Sequence, residues 1–249
     1  MSAPALDLSL VIPTFNEAEN LPLLWPEVRE VLDATGLRYE VVFVDDGSQD
    51  RSAEIIRELR DRDPRIRLVR LKTNAGETAA TDAGFKAARG RYVVTMDADL
   101  QHDPRDIPGL LTYLERWDAV TGWRVKREDS WIKRIASRIA NRVRNAVGRD
   151  DIRDSGCTFR AFRRECLREL VLYRGFHRFI PTLLRMQGYR VIEVPVNHRP
   201  RRFGRSKYGV WSRAWSALKD LLVVRWMQDR QLRYQVAEDL GGFPGEPAR

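Results

Sequence analysis

The sequence predicts an α/β fold, a mainly parallel sheet with helices on both faces. Three observations carry that expectation. Short apolar runs alternate with stretches of helical spacing from Leu8 to Gly122, the rhythm of a covered parallel sheet. Three of the runs lead straight into polar clusters: Thr14-Phe15-Asn16-Glu17, Asp45-Asp46-Gly47-Ser48 and Asp97-Ala98-Asp99. Ligands of open α/β sheets sit outside the carboxyl ends of the strands, so these clusters are expected to line one crevice.

In chain order, residues 8–12 read as a buried strand ended by Pro13, with Thr14 or Asn16 capping a helix that runs to about Thr35 and stops at Gly36. Residues 39–44 form a second strand. Asp50 then caps a helix carrying Ala53, Ile55, Ile56 and Leu59 at helical spacing, with Pro64 beyond its end. Residues 66–71 alternate like a strand, and Asn74-Ala75-Gly76 opens a helix that lasts to Gly90. The strand at 92–96 runs into Asp97, Asp99, Gln101 and His102. Asp106 or Pro108 begins a helix to Trp117, and residues 119–122 form a further strand.

Beyond Gly122 the texture changes. Residues 131–147 place Ile135, Ile139, Val143 and Val147 on one helical face, with Arg134, Arg138, Arg142 and Arg144 around the remainder. Residues 157–162 alternate like a strand, 163–173 and 177–188 read as helical, and 189–196 form a final strand. The basic run 198–208 suits a phosphate clamp or a solvated loop. Residues 210–227 interleave Trp211, Trp215, Leu218, Leu222 and Trp226 with Arg213, Lys219 and Arg225. That pattern fits a helix lying on a membrane and equally one packed on the domain. From about Glu238 the chain reads as a loose tail.

The bulk numbers narrow the class. With 249 residues, 43% hydrophobic and 32% charged, the chain can bury one large core and is not of disordered composition. The net charge of +9 divides unevenly: residues 1–121 carry −7 and residues 122–249 carry +16. The second half is therefore suited to anions, whether nucleic acid, a phosphorylated small molecule or an anionic membrane. Cys157 and Cys166 make no disulfide framework or metal-ligand spacing, which fits a reducing compartment. The N-terminus lacks the pattern of a signal peptide. The apolar run 221–224, broken by Arg225, is too short to span a bilayer. No G-x-G-x-x-G follows the first strand and no G-x-x-x-x-G-K-[ST] occurs, against a dinucleotide oxidoreductase and a P-loop NTPase.

Two carboxylates at i and i+2 repel each other unless a cation lies between them. Asp97 and Asp99, with the Gln101 amide and water, suit a hard divalent ion such as Mg²⁺ or Mn²⁺; the bland alternative is a polar turn closing a strand. His102, His177 and His198 are scattered and read as polar contacts, and nothing around Cys157 suggests a reactive thiolate.

With these pieces placed, the chain resembles the glycosyltransferase family 2 enzymes that load a sugar onto a polyprenyl phosphate, of the dolichol-phosphate mannosyltransferase and undecaprenyl-phosphate types. The motifs are Pro13-Thr14-Phe15-Asn16-Glu17, Asp45-Asp46-Gly47-Ser48, Asn74-Ala75-Gly76 and Asp97-Ala98-Asp99-Leu100-Gln101. Further along come Gly122-Trp123-Arg124, Ser137-Arg138 with Asn141, Asp154-Ser155-Gly156-Cys157-Thr158-Phe159-Arg160, and Arg201 with Gly204, Ser206 and Lys207. The match spans about Leu8 to Tyr208. It departs at Glu77, where relatives often carry Lys, Gln or a small residue, and in the absence of transmembrane helices.

The resemblance implies a GT-A-type nucleotide-diphospho-sugar transferase domain over 1–208, an amphipathic helical extension over 209–236 and a tail over 237–249. It implies a nucleotide-diphosphate sugar, GDP-mannose or a UDP-sugar, against Pro13, Phe15, Glu17, Asp45 and Asp46. Asp97, Asp99 and Gln101 would surround Mg²⁺ or Mn²⁺, with Asp99 the direct ligand, and Arg201, Ser206 and Lys207 would close over the diphosphate. Arg124, Arg134 and Arg138 would hold the acceptor phosphate, Arg124 and Arg134 setting it in line. A peripheral location on the cytoplasmic face of a membrane, on its surface or a small membrane partner protein, is also implied. Three other readings compete: a family 2 enzyme acting on a soluble or glycan hydroxyl, with Asp154 as its carboxylate; a nucleic-acid-binding module, which leaves the acidic strand ends unexplained; and a catalytically inactive sugar-nucleotide binder, against which the metal motif is complete.

Overall fold

The computed structural model describes residues 6–125, 152–200 and 210–232, with backbone alone for 210–217. Its seven strands are β1 (Leu8–Thr14), β2 (Tyr39–Asp45), β3 (Ile66–Arg70), β4 (Tyr92–Thr95), β5 (Ala119–Arg124), β6 (Arg160–Arg163) and β7 (Val191–Val196), ordered β3-β2-β1-β4-β6-β5-β7 in one sheet. β6 pairs antiparallel with β4 and β5, and the remaining pairs are parallel. The helices are α1 (Leu21–Ala34), α2 (Ser52–Arg62), α3 (Glu77–Ala87), α4 (Ile107–Tyr113), α5 (Ile180–Met186) and α6 (Val210–Arg230).

Both faces of the sheet are covered, as the apolar runs predict. One core takes Leu21, Leu24, Val28 and Leu32 of α1, Ile56 of α2 and Leu110 of α4. The other takes Ala80 and Phe85 of α3, Leu183 and Leu184 of α5, and Leu221 and Val224 of α6. All seven residues of β2 are buried, so this strand shows no alternation.

Strand order reverses at β1, which has β2 on one side and β4 on the other. The β4 ladder ends at Val11↔Thr95, while β1 and β2 stay paired to Thr14↔Asp45. A crevice opens where β4 leaves, the expected position for a ligand. Pro13 therefore does not end β1. It falls beyond the reach of β4, where its missing N–H interrupts no ladder.

Two further expectations differ from the structure. α1 starts at Leu21, not after Thr14 or Asn16: Thr14 is still in the strand, and Asn16 adopts a left-handed φ of 53°. Residues 163–173 are not a helix; only Arg164–Leu167 forms a 3-10 turn. Cys166, Leu167 and Leu170 reach the core from an irregular segment, and that spacing mimics a helical face. The predicted helix at 131–147, the basic run from Arg201 and the tail lie outside the described residues.

Candidate active site

The loops after β1 and β2 are sewn together. Asn16 N–H donates to Ser48 Oγ at 2.9 Å, Glu17 N–H to Ser52 Oγ at 2.8 Å, and Gln49 N–H to Asn16 Oδ1 at 2.8 Å. Pro13, Phe15 and Glu17 are half-buried along this seam. Asp45 is fully buried; it accepts from Ser48 N–H at 3.1 Å and from Arg70 Nε at 3.0 Å. Asp46 behaves differently from its predicted neighbours. Its Oδ1 takes the N–H of Ala75 at 2.7 Å, and its Oδ2 takes the N–H of Gly76 and the Asn74 amide, both at 2.9 Å. Asp46 thus shapes the loop before α3.

The end of β4 gathers the predicted carboxylates. Leu100 holds a left-handed φ of 62°, a conformation a branched residue adopts only when its surroundings enforce it. Asp99 is buried and accepts Gln101 N–H at 3.1 Å. The Gln101 amide nitrogen faces His198 Nε2 at 3.3 Å and the Arg199 carbonyl at 3.4 Å. Asp97 accepts the Thr158 hydroxyl at 2.6 Å. Desolvation, joined by repulsion from Glu77, pushes its carboxyl up to about 6 against that hydrogen bond. Negative charge crowded here is what a cation would relieve. Among the described residues no three His, Cys, Asp or Glu side chains form a closed metal cage. A two-carboxylate site leaves positions to water and phosphate oxygens, as Mg²⁺ and Mn²⁺ favour, so the residues fit such an ion.

His102 supports this end instead of ligating. It is buried, stacks on Phe159 with ring centroids 5.0 Å apart, and accepts Asp97 N–H at Nδ1 at 3.2 Å. Burial pushes its pKa down to about 4.

At the end of β5, Arg124 meets Asp154 in a two-pronged pair, Nε to Oδ2 at 2.7 Å and one terminal nitrogen to Oδ1 at 2.8 Å. Burial opposes the arginine's charge, but the Asp154 bonds prevail and its pKa rises. Glu193 of β7 in turn accepts the N–H groups of Arg153 at 2.7 Å and Asp154 at 3.1 Å. The segment 154–158 therefore grips Arg124 at one end and Asp97 at the other. Sequence reasoning missed Glu193 altogether, because its signal is one acidic residue in an apolar strand. Arg199, placed by sequence in a phosphate clamp, instead bonds Glu27 at 2.5 Å and Asp103 at 2.7 Å. Arg134, Arg138, Arg201, Ser206 and Lys207 lie outside the described residues.

Comparison with known proteins follows the same lines. Residues 9–171 match the profile described as Glycosyl transferase family 2. An undecaprenyl-phosphate 4-deoxy-4-formamido-L-arabinose transferase of Edwardsiella ictaluri (strain 93-146) is 40% identical over 205 residues, 82% of this chain and 63% of its own length. A dodecaprenyl-phosphate galacturonate synthase of Rhizobium johnstonii is 38% identical over 226 residues, 88% of this chain and 67% of its own. The chain spans about two thirds of the length of these relatives. Glucosyl-3-phosphoglycerate synthase from Mycobacterium tuberculosis, with Mn²⁺, UDP and phosphoglyceric acid, superposes with a TM-score of 0.67 at 20% identity, over 88% of this chain and 78% of that one. A mannosyltransferase from Pyrobaculum calidifontis, with GDP-Man and Mn²⁺, gives 0.60 at 21% identity, over 92% and 74%. The fold is the GT-A type.

Proposed function

The chain belongs to glycosyl transferase family 2, and on that footing we propose that it transfers a sugar from a nucleotide-diphosphate sugar to a polyprenyl phosphate, inverting the anomeric carbon. The observation that carries the reading is the segment 154–158, which ties Arg124 and Asp97 into one site. A lipid monophosphate is already anionic at neutral pH and needs no general base. Asp154, the carboxylate that a hydroxyl acceptor would call for, is engaged in orienting Arg124.

Pro13, Phe15, Glu17 and Asp45 hold the base and ribose, with Asp46 acting through the loop before α3. Asp97, Asp99 and Gln101 would hold Mg²⁺ or Mn²⁺, which when bound would supply stabilisation of the charge on the departing nucleoside diphosphate. Arg201, Ser206 and Lys207 close over the diphosphate. Arg124 sets the acceptor phosphate in line with the anomeric carbon, assisted by Arg134 and Arg138. Mannose from GDP-mannose is the first candidate donor and a UDP-sugar the second.

Access to the lipid follows from α6. It packs inward through Leu221 and Val224 while Leu218, Leu222, Val223 and Trp226 face outward beside Lys219 and Arg230. We assign this face to a peripheral contact with the cytoplasmic leaflet. No described helix is long and apolar enough to cross a membrane.

The test is a donor panel with Mg²⁺ or Mn²⁺ and a short polyprenyl phosphate, read by mass spectrometry. The expected product is the lipid-phosphate monosaccharide, with Asp99→Ala lowering turnover at least about 100-fold. Full activity in Asp99→Ala would remove the metal role, and transfer to free glycans alone would replace the acceptor.

A further inference from the structure

Beside the acidic end of β4 lies a small cavity of about 10 Å³, roughly one water, whose wall carries Glu77, Thr81, Thr158, Arg160 and His177 together with Asp97. Glu77 is the first residue of α3. Its Oε2 lies 3.5 Å from Nε2 of the buried His177. The other ring nitrogen, Nδ1, lies 2.7 Å from the Thr78 hydroxyl, which itself accepts the Gly175 N–H at 3.0 Å. Thr78 can therefore direct its own proton to Nδ1, leaving the imidazole proton on Nε2, turned to Glu77. Arg160, 2% exposed, donates to the His177 carbonyl at 2.5 Å and to the Ser155 carbonyl at 3.1 Å. Glu77 is held at the cavity from a braced backbone.

None of the roles assigned above uses Glu77. A carboxylate next to a diphosphate site repels phosphate oxygens, so the diphosphate is not its partner. The remaining part of the donor is the sugar, and hydroxyl groups are what an anionic acceptor recognises. We propose that Glu77, positioned by His177, sorts donors by the charge of their sugar: it accepts hydrogen bonds from a neutral sugar's hydroxyls and repels a sugar that bears a carboxylate. This rests on the nucleotide-sugar reading of the site.

The test is calorimetric binding with Mn²⁺ and no lipid, which needs no turnover. The ligands are UDP, UDP-glucose and UDP-glucuronate, and GDP, GDP-mannose and GDP-mannuronate. Within the series whose bare nucleotide binds, the wild-type chain should favour the neutral sugar about tenfold or more. Glu77→Gln should bring the two within about threefold of each other, each measured relative to the same variant's affinity for the bare nucleotide. Equal wild-type binding, or a preference that survives Glu77→Gln, overturns the proposal. His177→Asn should relax the preference in part; full retention would remove the positioning role. If neither bare nucleotide binds the wild-type chain, the donor site itself is misread, a failure separable from a loss of discrimination alone.

Discussion

Asp154 and His102 are both buried beside charged neighbours, and partners decide what each one does. The two bonds from Arg124 fix the plane of its guanidinium, the orientation that the proposed in-line attack by a phosphate acceptor would require. Asp154→Asn keeps the shape but removes the charge and one good acceptor. The expected result is a fall of about 100-fold in kcat/KM for the lipid phosphate with donor KM within about twofold. A matching loss for the donor would mean a general structural fault. His102 is held neutral by burial, with a pKa of about 4. Its imidazole resonances should stay at their neutral positions from pH 8 to 5. The unfolded chain takes up that proton near 6.5 and the native chain does not, so stability is whole above 6.5 and falls as pH drops toward 4. The shift is on the order of 3 kcal/mol. Asp97 opposes it: its carboxyl, raised to about 6, keeps a proton that the unfolded chain gives up above 3.8. An NMR titration separates the two, and a ring that protonates near 6.5 would contradict the buried, neutral imidazole.

The loop between β2 and α2 shows how an element makes the site. Gly47 has φ of 68°, and a Cβ there would lie 2.6 Å from Asn74 N. Close approach of these two loops lets Asp46 bind the backbone at 75 and 76. Gly47→Ala is expected to cost roughly 2–4 kcal/mol in urea unfolding and to weaken donor binding; an unchanged midpoint would show that the loops can part cheaply. The Gly was visible in the sequence as a turn residue, but its facing partner Asn74 was not. Strands were legible because β1, β2 and β4 are largely buried on both faces and read as mostly apolar runs. The crevice was legible for the same reason, since polar clusters after such runs must sit at strand ends. The 163–173 segment misled because core contact repeats at helical spacing there without helical hydrogen bonding. Arg124 could be chosen from sequence, whereas its tie to Asp97 runs through Thr158, and spacing along the chain does not encode a contact across three strands.

At the scale of the whole molecule, the proposed reaction needs a water-borne donor and a lipid-borne acceptor to meet, and charge and apolar surface bear on how they would. The acidic residues 1–121 supply the strand ends, and residues 122–249 carry the net +16. α6 has apolar residues on both sides, Leu221 and Val224 inward at 4% and 0% exposure, Leu222 and Trp226 outward at 55% and 63%. A helix of that kind is stable in water only in part, because its outer face gains by meeting another apolar phase. Each large side chain leaving water contributes on the order of 1–3 kcal/mol, and each neighbouring Lys or Arg about 1 kcal/mol at an anionic surface. Replacing Leu222 and Trp226 together by Glu reverses both terms while leaving the buried side untouched. The double variant should lose at least about 100-fold in partitioning to vesicles containing anionic lipid, with its circular dichroism and nucleotide-sugar affinity preserved. Added salt should weaken the wild-type chain's partitioning only in part, since the apolar term is not screened. Undiminished co-sedimentation of the variant would remove α6 as the proposed membrane contact.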